Sequence, residues 1–466
     1  MASKRRLVQI SPEEFKKNFA EIHPPLTPNA AVIEASRCLF CFDAPCTIAC
    51  PTHIDVPKFI KKIATGNLPG SARTIFEANI LGGSCAKICP VEVLCEGACV
   101  INHHNEKPIQ IALLQRHAMD WAQAHQYTPF AAGEPNGKKV ACVGGGPASL
   151  ACAAELAQLG YAVTVFERKP LAGGLNTYGI AEYKLTPVDA LREVELVRRL
   201  GVMFECGVQI VGETKAVERS VPSSPSLRSI SLHSLEQDYG AIFIGIGLGE
   251  TNDLEIPGED LKSVVDAISF IEEYKTRRHQ CRVGSHVAVI GAGNTAIDAA
   301  TAAARLGASE VRMVYRRSEK EMPAFAYEFE LAKRDGVVFN WQTQPVKIHG
   351  RRSVEKLECV MMRLGKADKT GRRRPEPVPR SNFFIECDMV IKSLGQTKHD
   401  DFLRSIPNLK RAKDGRVLVD ERTCQTTAPR YFAGGDCING GQEVVDAVAD
   451  GKRAAYGIDA WIRKNR

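Results

Sequence analysis

Seven cysteines near the N-terminus have the side chains and the spacing needed to bind metal. They fall into two groups: Cys38, Cys41, Cys46 and Cys50, followed by Pro51, and then Cys89, Cys95 and Cys99. Thiolates are the soft ligands that an iron–sulfur cube takes, four to a cube. Two cubes need eight ligands, and these seven thiols leave the source of the eighth ligand open.

A structural zinc site is the alternative for the same thiols. Zinc is usually enclosed by two C-x2-C pairs or by histidines at finger spacing. Only Cys38 and Cys41 form such a pair, and the adjacent His103 and His104 lack that spacing, so we expect them to be solvent-exposed. Cys-Pro steps occur in both cysteine groups, as they do in ferredoxins. The pattern therefore favours iron–sulfur over zinc.

The composition is that of an ordinary globular protein. The 466 residues are enough for about three domains, and 44% are hydrophobic and 25% charged. The N-terminus lacks the apolar stretch of a signal peptide, and no apolar run reaches the ~18 residues of a membrane span. Sixteen cysteines without such a signal indicate metal binding in a reducing compartment. We therefore expect a cytoplasmic protein.

The net charge of +7 does not predict nucleic-acid binding, because no basic helix or mixture of aromatic and basic residues is present. The densest basic spot is Arg372-Arg373-Arg374, within residues 366–380. We expect an exposed hairpin tip there. A docking patch for an acidic partner is the alternative.

The first 130 residues are predicted to be helical. Ser11-Pro12-Glu13-Glu14 is a capping box, because the serine and the glutamate can each accept a backbone N–H at a helix start. Apolar residues from Ile54 to Ile63 recur at helical spacing. Another short helix is predicted to begin within Asn105 to Gln115, and a boundary follows near residues 129–138.

Two strand–helix–strand units follow this helical region. The predicted elements are strand Lys139–Val143, helix Ala148–Leu159 and strand Ala162–Phe166, then strand His286–Ile290, helix Asn294–Leu306 and strand Val311–Tyr315. Two alternating units of this kind predict two doubly wound α/β domains. Residues 220–229 are predicted to form a surface loop, and a strand, Gly434-Gly435-Asp436 and a final helix are predicted beyond Arg430.

The glycine turn of the first unit is predicted to bind a dinucleotide. It consists of Gly144, Gly145, Gly146, Pro147, Ala148 and Ser149. Glycines permit the tight turn and a close approach of backbone amides to a pyrophosphate, which faces the helix N-terminus. Glu167, at the end of the second strand, can accept ribose hydroxyls. Gly173-Gly174-Leu175 favours a flavin, since flavoproteins with paired units of this type often carry two glycines there.

The glycine turn of the second unit consists of Gly291, Ala292, Gly293, Asn294 and Thr295. It lacks an acidic ribose partner, and its strand ends instead in Arg316 and Arg317. Guanidinium groups there can pair with a 2′-phosphate, which favours NADPH, although Glu319 and Glu321 nearby weaken this preference. Two solvated arginines at a strand end are the alternative.

Three further glycine motifs complete the pattern. Gly435 and Asp436 are predicted to face the flavin ribityl and pyrophosphate, and Ile244–Gly247 and Ser393–Gly395 fit strand-to-glycine crossovers whose backbone passes close to the cofactors. No C-x-x-C lies in this region, which argues against a disulfide reductase. The scattered cysteines are predicted to be buried small hydrophobes: Cys142, Cys152, Cys206, Cys281, Cys359, Cys387, Cys424 and Cys437.

Over almost its whole length the chain resembles the flavin and iron–sulfur electron-input module shared by dihydropyrimidine dehydrogenase and the small subunit of bacterial glutamate synthase. The cysteine groups, the two glycine turns and Asp436 occur in the same order. The resemblance implies that Cys38, Cys41, Cys46 and Cys99 hold one [4Fe–4S] cluster. It implies that Cys50, Cys89 and Cys95 hold a second with a non-cysteine ligand, that Cys85 is not a ligand, and that Lys184 lies near the flavin.

The non-cysteine ligand separates the two branches. By the resemblance it is a glutamine in dihydropyrimidine dehydrogenases, sixteen residues after the last cysteine, where this chain has Gln115. The glutamate synthase branch usually has glutamate there. Taken alone, a glutamine on a helix is usually solvent-exposed. The bacterial two-subunit pyrimidine enzymes are commonly described with NADH, which Arg316 and Arg317 do not suit.

The resemblance implies an electron-input subunit of dihydropyrimidine dehydrogenase. NAD(P)H would reduce FAD, and two [4Fe–4S] clusters would relay electrons to a partner with FMN and iron–sulfur centres that reduces uracil or thymine, or the reverse. No FMN-binding barrel follows Arg466, so the pyrimidine site is expected on another polypeptide. The alternatives are the small subunit of NADPH-dependent glutamate synthase, a free-standing diaphorase, and a zinc-stapled nucleotide-binding protein without redox function.

The sequence thus predicts an α/β fold with two Rossmann-like, doubly wound nucleotide-binding domains preceded by an α-helical iron–sulfur domain. The predicted domains are residues 1–136 for the clusters, 137–263 with 393–466 for FAD, and an inserted 264–392 for NAD(P)H. No side chain is expected to act as a catalytic acid or base, because the hydride step depends mostly on positioning.

Overall fold

The computed structural model describes residues 7–212, 227–367 and 373–465. The chain forms two compact units. The smaller unit comprises Met1–Ile22, Tyr178–Tyr183 and Gly249–Thr397, and the larger unit comprises His23–Thr177, Lys184–Leu248 and Lys398–Arg466. Each unit is built around one parallel sheet, as shown below.

The α-helices of the described residues are, in chain order, α1 Pro12–Asn18, α2 Pro28–Ser36, α3 Pro45–Ile48, α4 Val56–Ala64, α5 Leu68–Ala78, α6 Gly82–Ile88, α7 Ile111–Ala124, α8 Pro147–Gln158, α9 Leu175–Tyr178, α10 Pro187–Arg198, α11 Leu232–Asp238, α12 Ala267–Thr276, α13 Asn294–Arg305, α14 Ala326–Arg334, α15 Asp400–Arg404, α16 Asp436–Asn439 and α17 Val444–Lys464. Short 3-10 helices cover Val100–His104 and Glu319–Glu321. None of these helices is long and apolar enough to cross a membrane.

The strands are β1 Lys139–Val143, β2 Ala162–Glu167, β3 Met203–Cys206, β4 Val208–Val211, β5 Arg228–Ser231, β6 Ala241–Ile244, β7 Val264–Asp266, β8 His286–Ile290, β9 Glu310–Val314, β10 Val338–Asn340, β11 Thr343–Gly350, β12 Val354–Ala367, β13 Arg373–Pro377, β14 Phe383–Glu386, β15 Met389–Lys392 and β16 Tyr431–Ala433.

Both units contain a five-stranded parallel sheet. The order is β16-β6-β1-β2-β3 in the larger unit and β10-β9-β8-β15-β7 in the smaller unit. Strands β1 and β8 lie inside their sheets, where the connections run to opposite sides. At such a switch point the carboxyl ends of the strands leave a crevice for a ligand. The predicted fold class is confirmed, and the predicted strands and helices of both units agree with the structure to within one residue.

The helices that carry the predicted cluster ligands belong to the larger unit. The apolar stripe predicted before and within α4 is buried, with Ile54, Val56, Phe59, Ile60 and Ile63 at most 3% exposed. Each such side chain contributes about 1.5–3 kcal/mol by leaving water. These residues share one hydrophobic core with α5, α7 and α8, so the cysteine-bearing loops are held by the same core as the first glycine turn.

Several local predictions are confirmed. Ser11 and Glu14 form the capping box, with Ser11 N donating to Glu14 Oε2 at 2.9 Å. Strands β12 and β13 pair antiparallel as a hairpin. Arg373 and Arg374 are exposed at the start of β13, whereas Arg372 and the predicted tip lie outside the described residues. His103 and His104 are exposed.

Other local predictions are met in part. The helix predicted to begin within Asn105 to Gln115 is α7, which begins at Ile111. Asn105 has a left-handed backbone with φ +57°, and Pro108 disfavours a helical Lys107. The predicted loop 220–229 lies largely outside the described residues, but its end enters β5, which pairs with β4. Of the scattered cysteines, Cys206 is only partly buried, at the end of β3, whereas the other seven are buried.

Helix α6 is held against α10 by two charged contacts within the larger unit. Lys87 Nζ lies 2.7 Å from Asp189 Oδ2. The Glu193 carboxylate accepts the backbone N–H of Ser84 at 2.9 Å and the Ser84 hydroxyl. Because the N-cap residue of α6 supplies no side-chain acceptor, Glu193 caps this helix from outside.

The Glu193 contact predicts a pH dependence of stability. Burial raises the pKa of Glu193 to about 7 from its usual 4.5, against the lowering effect of its hydrogen bonds to Ser84 and Gly83. The folded chain then binds more protons than the unfolded chain between these values, so this group lowers the free energy of unfolding as pH rises from about 4.5 to 7. We expect Glu193→Gln to flatten the pH profile of the thermal unfolding midpoint over this window.

The matched control is Glu195→Gln, which changes a more exposed glutamate on the same helix and should leave the profile unchanged. Identical profiles for the Glu193 variant and the wild-type protein would contradict the raised pKa.

Candidate functional site

Four of the predicted ligand thiols form one electrostatic group in the larger unit. Burial raises the pKa of Cys38, and proximity to Cys41 and Cys99 raises it further. Burial raises the pKa of Cys46 to about 12, again with contributions from Cys38 and Cys99. The chain therefore brings Cys99 back to the first three cysteines, which is the grouping that the resemblance implies.

The second predicted ligand set surrounds one cavity. Cys50, Cys89, Cys95 and Gln115 all line it. Burial raises the pKa of Cys95, with contributions from Glu96 and Cys50. The remaining lining is mostly apolar and includes Val445 from the first turn of α17, the helix that follows the Gly434-Gly435-Asp436 turn. The predicted donors of this set thus line one mostly apolar pocket.

Gln115 differs from the usual surface glutamine. It lies in α7 and is only 7% exposed. Its Nε2 donates to the backbone carbonyl of Gly82 at 2.7 Å, at the start of α6. Since this bond occupies the amide nitrogen, the amide oxygen is the atom available as a metal ligand.

A single ion and a cluster make different demands on the spacing of their ligands. Over the described ranges, no three His, Cys, Asp or Glu side chains are arranged to hold one metal ion. A zinc ion draws its thiolates together, with zinc–sulfur distances of about 2.3 Å. In a cube each ligand binds a different iron, so the ligands stand further apart. Two cubes would need eight ligands, which the seven thiols and the one amide of the predicted sets would supply.

The first glycine turn connects β1 to α8 and depends on its glycines. Gly144 has φ +95°, and a Cβ there would lie 2.4 Å from the carbonyl oxygen of Gly245. Helix α8 begins after Gly146 without a side-chain cap and without an acidic residue in its first turn, so its N–H groups can bind an anion. Pro147, Ala148 and Ser149 form that first turn, and Ala148 and Ser149 are buried.

Glu167 is positioned at this turn from the end of β2. Its Oε2 accepts the N–H of Gly145 at 2.7 Å, and its Oε1 accepts the N–H of Lys169 at 2.8 Å. A carboxylate has about four acceptor positions, so two remain for the hydroxyls of a ribose. Burial raises the pKa of Glu167.

Two further turns approach the same helix start. Gly174 has φ +55°, and a Cβ there would lie 2.7 Å from the Cα of Gly146. Gly435 has φ +76° and packs near Ala148, which brings Asp436 to this end of α8. Burial raises the pKa of Asp436. Leu175 starts α9 and is 38% exposed, and Lys184 is buried just before α10.

Sequence reasoning missed Asp450, which holds the Gly435 turn. Asp450 lies in α17, is 5% exposed, and its Oδ2 accepts the N–H of Gly435 at 2.9 Å. Arg453, one turn further, pairs with the same carboxylate. The sequence feature that could have identified Asp450 is an acidic residue on the apolar face of the last helix, because a buried carboxylate needs hydrogen-bond or charge partners.

The second glycine turn lies in the smaller unit, between β8 and α13. Gly291 has φ +132°, and a Cβ there would lie 2.1 Å from the carbonyl oxygen of Ser393. Helix α13 begins after Gly293 without a side-chain cap, and Asn294 Oδ1 accepts the N–H of Phe325 at 3.0 Å. The first turn of α13 includes Thr295 and follows the buried Ala292. Its N–H groups can therefore bind an anion, as at the start of α8. The backbone carbonyl of Gly395 accepts a hydrogen bond from the backbone N–H of Asn252.

Arg316 and Arg317 follow the end of β9. Arg316 is exposed and Arg317 partly buried, and within the described ranges neither side chain pairs with a carboxylate. The nearby Glu321 is occupied, because its carboxylate accepts the N–H of Ser318 at 3.2 Å in a capping box. The hydroxyl and amide of Ser318 lower the pKa of Glu321. Glu319 and Glu321 are the two acidic residues that weaken the prediction of a phosphate site. The carboxylate of Glu321 is therefore already occupied by its hydrogen bond with Ser318.

Comparison with known proteins agrees with this architecture. Residues 15–127 match the family model of dihydropyrimidine dehydrogenase domain II, 4Fe-4S cluster, and residues 138–451 match that of pyridine nucleotide-disulphide oxidoreductases. The chain is 34% identical to the NADP(+)-dependent formate dehydrogenase subunit beta of Moorella thermoacetica over 90% of this chain, but spans only 60% of that protein.

A second relative is matched over nearly its full length. The chain is 32% identical to the glutamate synthase [NADPH] small chain of Escherichia coli, covering 96% of this chain and 94% of that protein. Among solved structures, Mycobacterium tuberculosis FprA in complex with NADPH matches 71% of this chain and 85% of its own, with a TM-score of 0.54 and 18% identity, which supports the fold alone.

The second family model covers more than half of the chain, and the glutamate synthase small chain is covered almost entirely. The chain therefore belongs to the pyridine nucleotide-disulphide oxidoreductase family, in a branch with an N-terminal 4Fe-4S domain, and is a flavin- and iron–sulfur-dependent NAD(P)H oxidoreductase.

Proposed function

We propose that this chain is the electron-input subunit of a heteromeric oxidoreductase. The larger unit contains both ligand sets and the first glycine turn, and the smaller unit contains the second turn. The relatives are named as a small chain or a subunit beta, which supports a separate catalytic partner. When bound, FAD would take up hydride from the nicotinamide and the clusters would carry single electrons.

The ligand sets are assigned as two interleaved groups. Cys38, Cys41, Cys46 and Cys99 hold one [4Fe–4S] cluster, and Cys50, Cys89, Cys95 and Gln115 hold the other. The effects of Cys41 and Cys99 on the pKa of Cys38, those of Cys38 and Cys99 on the pKa of Cys46, and the cavity shared by the second set support this division. The predicted domains, residues 1–136, 137–263 with 393–466, and 264–392, are proposed as the cluster, FAD and NAD(P)H regions.

The remaining residues bind and orient the nucleotides. The N-terminus of α8 receives the FAD pyrophosphate, Glu167 accepts ribose hydroxyls, and Asp450 holds the Gly435 turn in place. The N-terminus of α13 receives the nicotinamide dinucleotide, with Arg316 and Arg317 at its 2′-phosphate. None of these side chains needs to transfer a proton, since hydride transfer requires alignment of the two rings.

The proposal for the identity of the partner rests on Gln115. It is a buried amide at a cavity with three thiols, as the resemblance to dihydropyrimidine dehydrogenases implies. The matching domain model also takes its description from that enzyme. We therefore propose an FMN- and iron–sulfur-containing partner that reduces uracil or thymine, or catalyses the reverse reaction.

The glutamate synthase small subunit is the second candidate. The relatives with this name are 32–33% identical and are covered over 93–94% of their length. The reported relatives favour this candidate over the first, and its partner would be a large amidotransferase. Gln115 is the residue that argues against it.

Anaerobic capture of the tagged chain from its native host tests the proposal. A partner of about 400 residues with FMN and ferredoxin-type cysteines would support the pyrimidine function, which a uracil-reduction assay would then check. A large amidotransferase as the captured partner would instead support a function in glutamate synthesis. Full activity of the isolated chain with no stable partner would contradict the electron-input proposal.

Replacing Gln115 tests the ligand assignment. We expect Gln115→Ala to lose about four of eight irons, or to change the EPR signal of one cluster, while flavin content is retained. Gln115→Glu should keep the iron, but its negative charge should lower the potential of that cluster. Gln123→Ala, on the exposed side of the same helix, is the control. An unchanged iron count and EPR spectrum in Gln115→Ala would refute ligation.

Replacing both arginines tests the nucleotide preference. Each charge-assisted hydrogen bond to a phosphate contributes roughly 1.5–3 kcal/mol. We therefore expect Arg316→Ala with Arg317→Ala to reduce kcat/KM for NADPH at least tenfold, with little change for NADH, in a ferricyanide reduction assay. Arg334→Ala, on α14 of the same unit, is the control. An equal loss with both nucleotides would rule out recognition of the 2′-phosphate.

A further inference from the structure

A two-stranded ribbon extends past the carboxyl edge of the parallel sheet in the smaller unit. Strands β11 and β12 pack on this sheet, with Ile348, Leu357 and Val314 in one hydrophobic core. At the edge, Thr343 of β11 is paired with Met361 of β12. The rest of β12 therefore continues beyond the end of the parallel strands, and there it pairs with β13.

Backbone hydrogen bonds fix the base of this ribbon beside the predicted phosphate site. The N–H of Thr343 donates to the carbonyl of Tyr315 at 2.9 Å, one residue after β9 ends. The N–H of Gln342 donates to the carbonyl of Arg317 at 2.9 Å, and the carbonyl of Gln342 accepts from the N–H of Met362 at 2.6 Å. Gln342 thus connects Arg317 directly to the first residue of the ribbon.

The ribbon carries an excess of positive charge, and we call residues 362–366 and 373–377 the basic arm. Its charged side chains are all exposed: Arg363, Lys366, Arg373, Arg374 and Glu376. Arg363 and Glu376 pair with each other at 3.3 Å. Over the part of the chain that the structure describes, the other three side chains form no ion pair. Three cations of the arm therefore remain to be paired with an anion.

Protection of a strand edge is a simpler explanation for these charges. Charged side chains on exposed strands often serve only to prevent pairing with other chains. The turn between β11 and β12, at the opposite end of the same strands, carries Arg351 and Arg352, which are also exposed. The basic arm differs from that turn because it lies at the carboxyl edge, where sheets of this kind bind their ligands.

The position of the arm indicates which part of a nucleotide it can reach. The sheet order is β10-β9-β8 on this side. The glycine turn predicted to receive the pyrophosphate follows β8, and Arg316 and Arg317 follow β9. Gln342, which holds the base of the arm, follows β10. The arm therefore approaches from the side away from the pyrophosphate, next to the predicted 2′-phosphate site.

The charge of Arg373 acts on this same segment. Hydrogen bonds with Ser318 lower the pKa of Glu321, and the positive charge of Arg373 lowers it further. Ser318 directly follows Arg317 in the sequence. The electrostatic effect thus agrees with the position that the backbone hydrogen bonds give to the arm.

We propose that the basic arm is a second cationic contact for the 2′-phosphate of NADPH, in which Arg373 and Arg374 act together with Arg316 and Arg317 to select NADPH over NADH. Guanidinium groups bind phosphate through charge-assisted hydrogen bonds, often two at a time. This inference rests on the NADPH preference in the proposed function and extends the site to a separate pair of strands.

Binding of 2′,5′-ADP to the purified chain, compared with 5′-AMP, tests the proposal. The two probes differ only in the 2′-phosphate, and neither requires a nicotinamide or an electron acceptor. We expect Arg373→Ala with Arg374→Ala to weaken binding of 2′,5′-ADP about tenfold and to leave binding of 5′-AMP unchanged. In a ferricyanide reduction assay, KM for NADPH should rise by a similar factor, while kcat and KM for NADH stay unchanged.

Two further variants control for charge. Arg351→Ala with Arg352→Ala removes the same charge from the opposite end of the same strands and should change neither affinity. Arg373→Lys with Arg374→Lys keeps the charge of the arm and should retain most of the affinity for 2′,5′-ADP. The difference between the arm variant and the wild-type protein should shrink at high salt, because exposed charges are screened.

Several results would overturn the proposal. They are an unchanged affinity for 2′,5′-ADP in the Arg373→Ala with Arg374→Ala variant, an equal loss for 5′-AMP, and an equal loss in the control variant. Unchanged nucleotide binding with weaker capture of a catalytic partner would assign the arm to docking instead.

Failure of the proposed function would look different. If neither the wild-type chain nor the variant with Arg316→Ala and Arg317→Ala distinguished 2′,5′-ADP from 5′-AMP, the NADPH preference itself would be wrong. If that variant lost affinity for 2′,5′-ADP and the variant of the basic arm did not, the NADPH preference would stand and only the role of the arm would be refuted.

Discussion

The position of helix α6 is the constraint on which the Gln115 cavity depends. This helix has only seven residues, too few to be stable alone, yet it carries Cys85 and ends at Cys89. Its first carbonyl accepts from Gln115, its first N–H groups are capped by Glu193, and Lys87 pairs with Asp189. These hydrogen bonds contribute on the order of 1 kcal/mol each, and together with the ion pair they hold the helix in place.

The same contacts join the predicted cluster region to the first glycine turn. Glu193 and Asp189 belong to α10, which follows the Gly173-Gly174 turn, and Val445 of α17 is among the residues that line the cavity. Electron transfer needs fixed, short separations between redox centres. A shared core and buried polar contacts maintain such separations better than exposed ion pairs, which are usually worth less than 1 kcal/mol.

The backbone of the two glycine turns is constrained by both steric and electrostatic effects. Gly144 and Gly291 each lie so close to a neighbouring carbonyl that a Cβ would overlap with it, so the backbone passes where no side chain fits. Both helices that follow begin without a side-chain cap. The chain thereby leaves two helix starts that anionic ligands can satisfy, and we propose that Glu167 in one unit, and Arg316 and Arg317 in the other, select between ligands.

The sequence by itself determined the elements whose signals are local. The strands before each glycine turn, the helices after them, the Ser11 capping box and the α4 stripe all follow from spacing within about ten residues, and the structure agrees with them. Helix α7 likewise begins within the predicted range, at Ile111, just after Pro108. The tertiary structure decided which thiols meet, that Gln115 is buried, and that Glu193 and Asp450 support the sites. These contacts join residues 15 to 109 positions apart, as in Asp450 with Gly435 and Glu193 with Ser84, and no periodicity in the sequence encodes pairing over such separations.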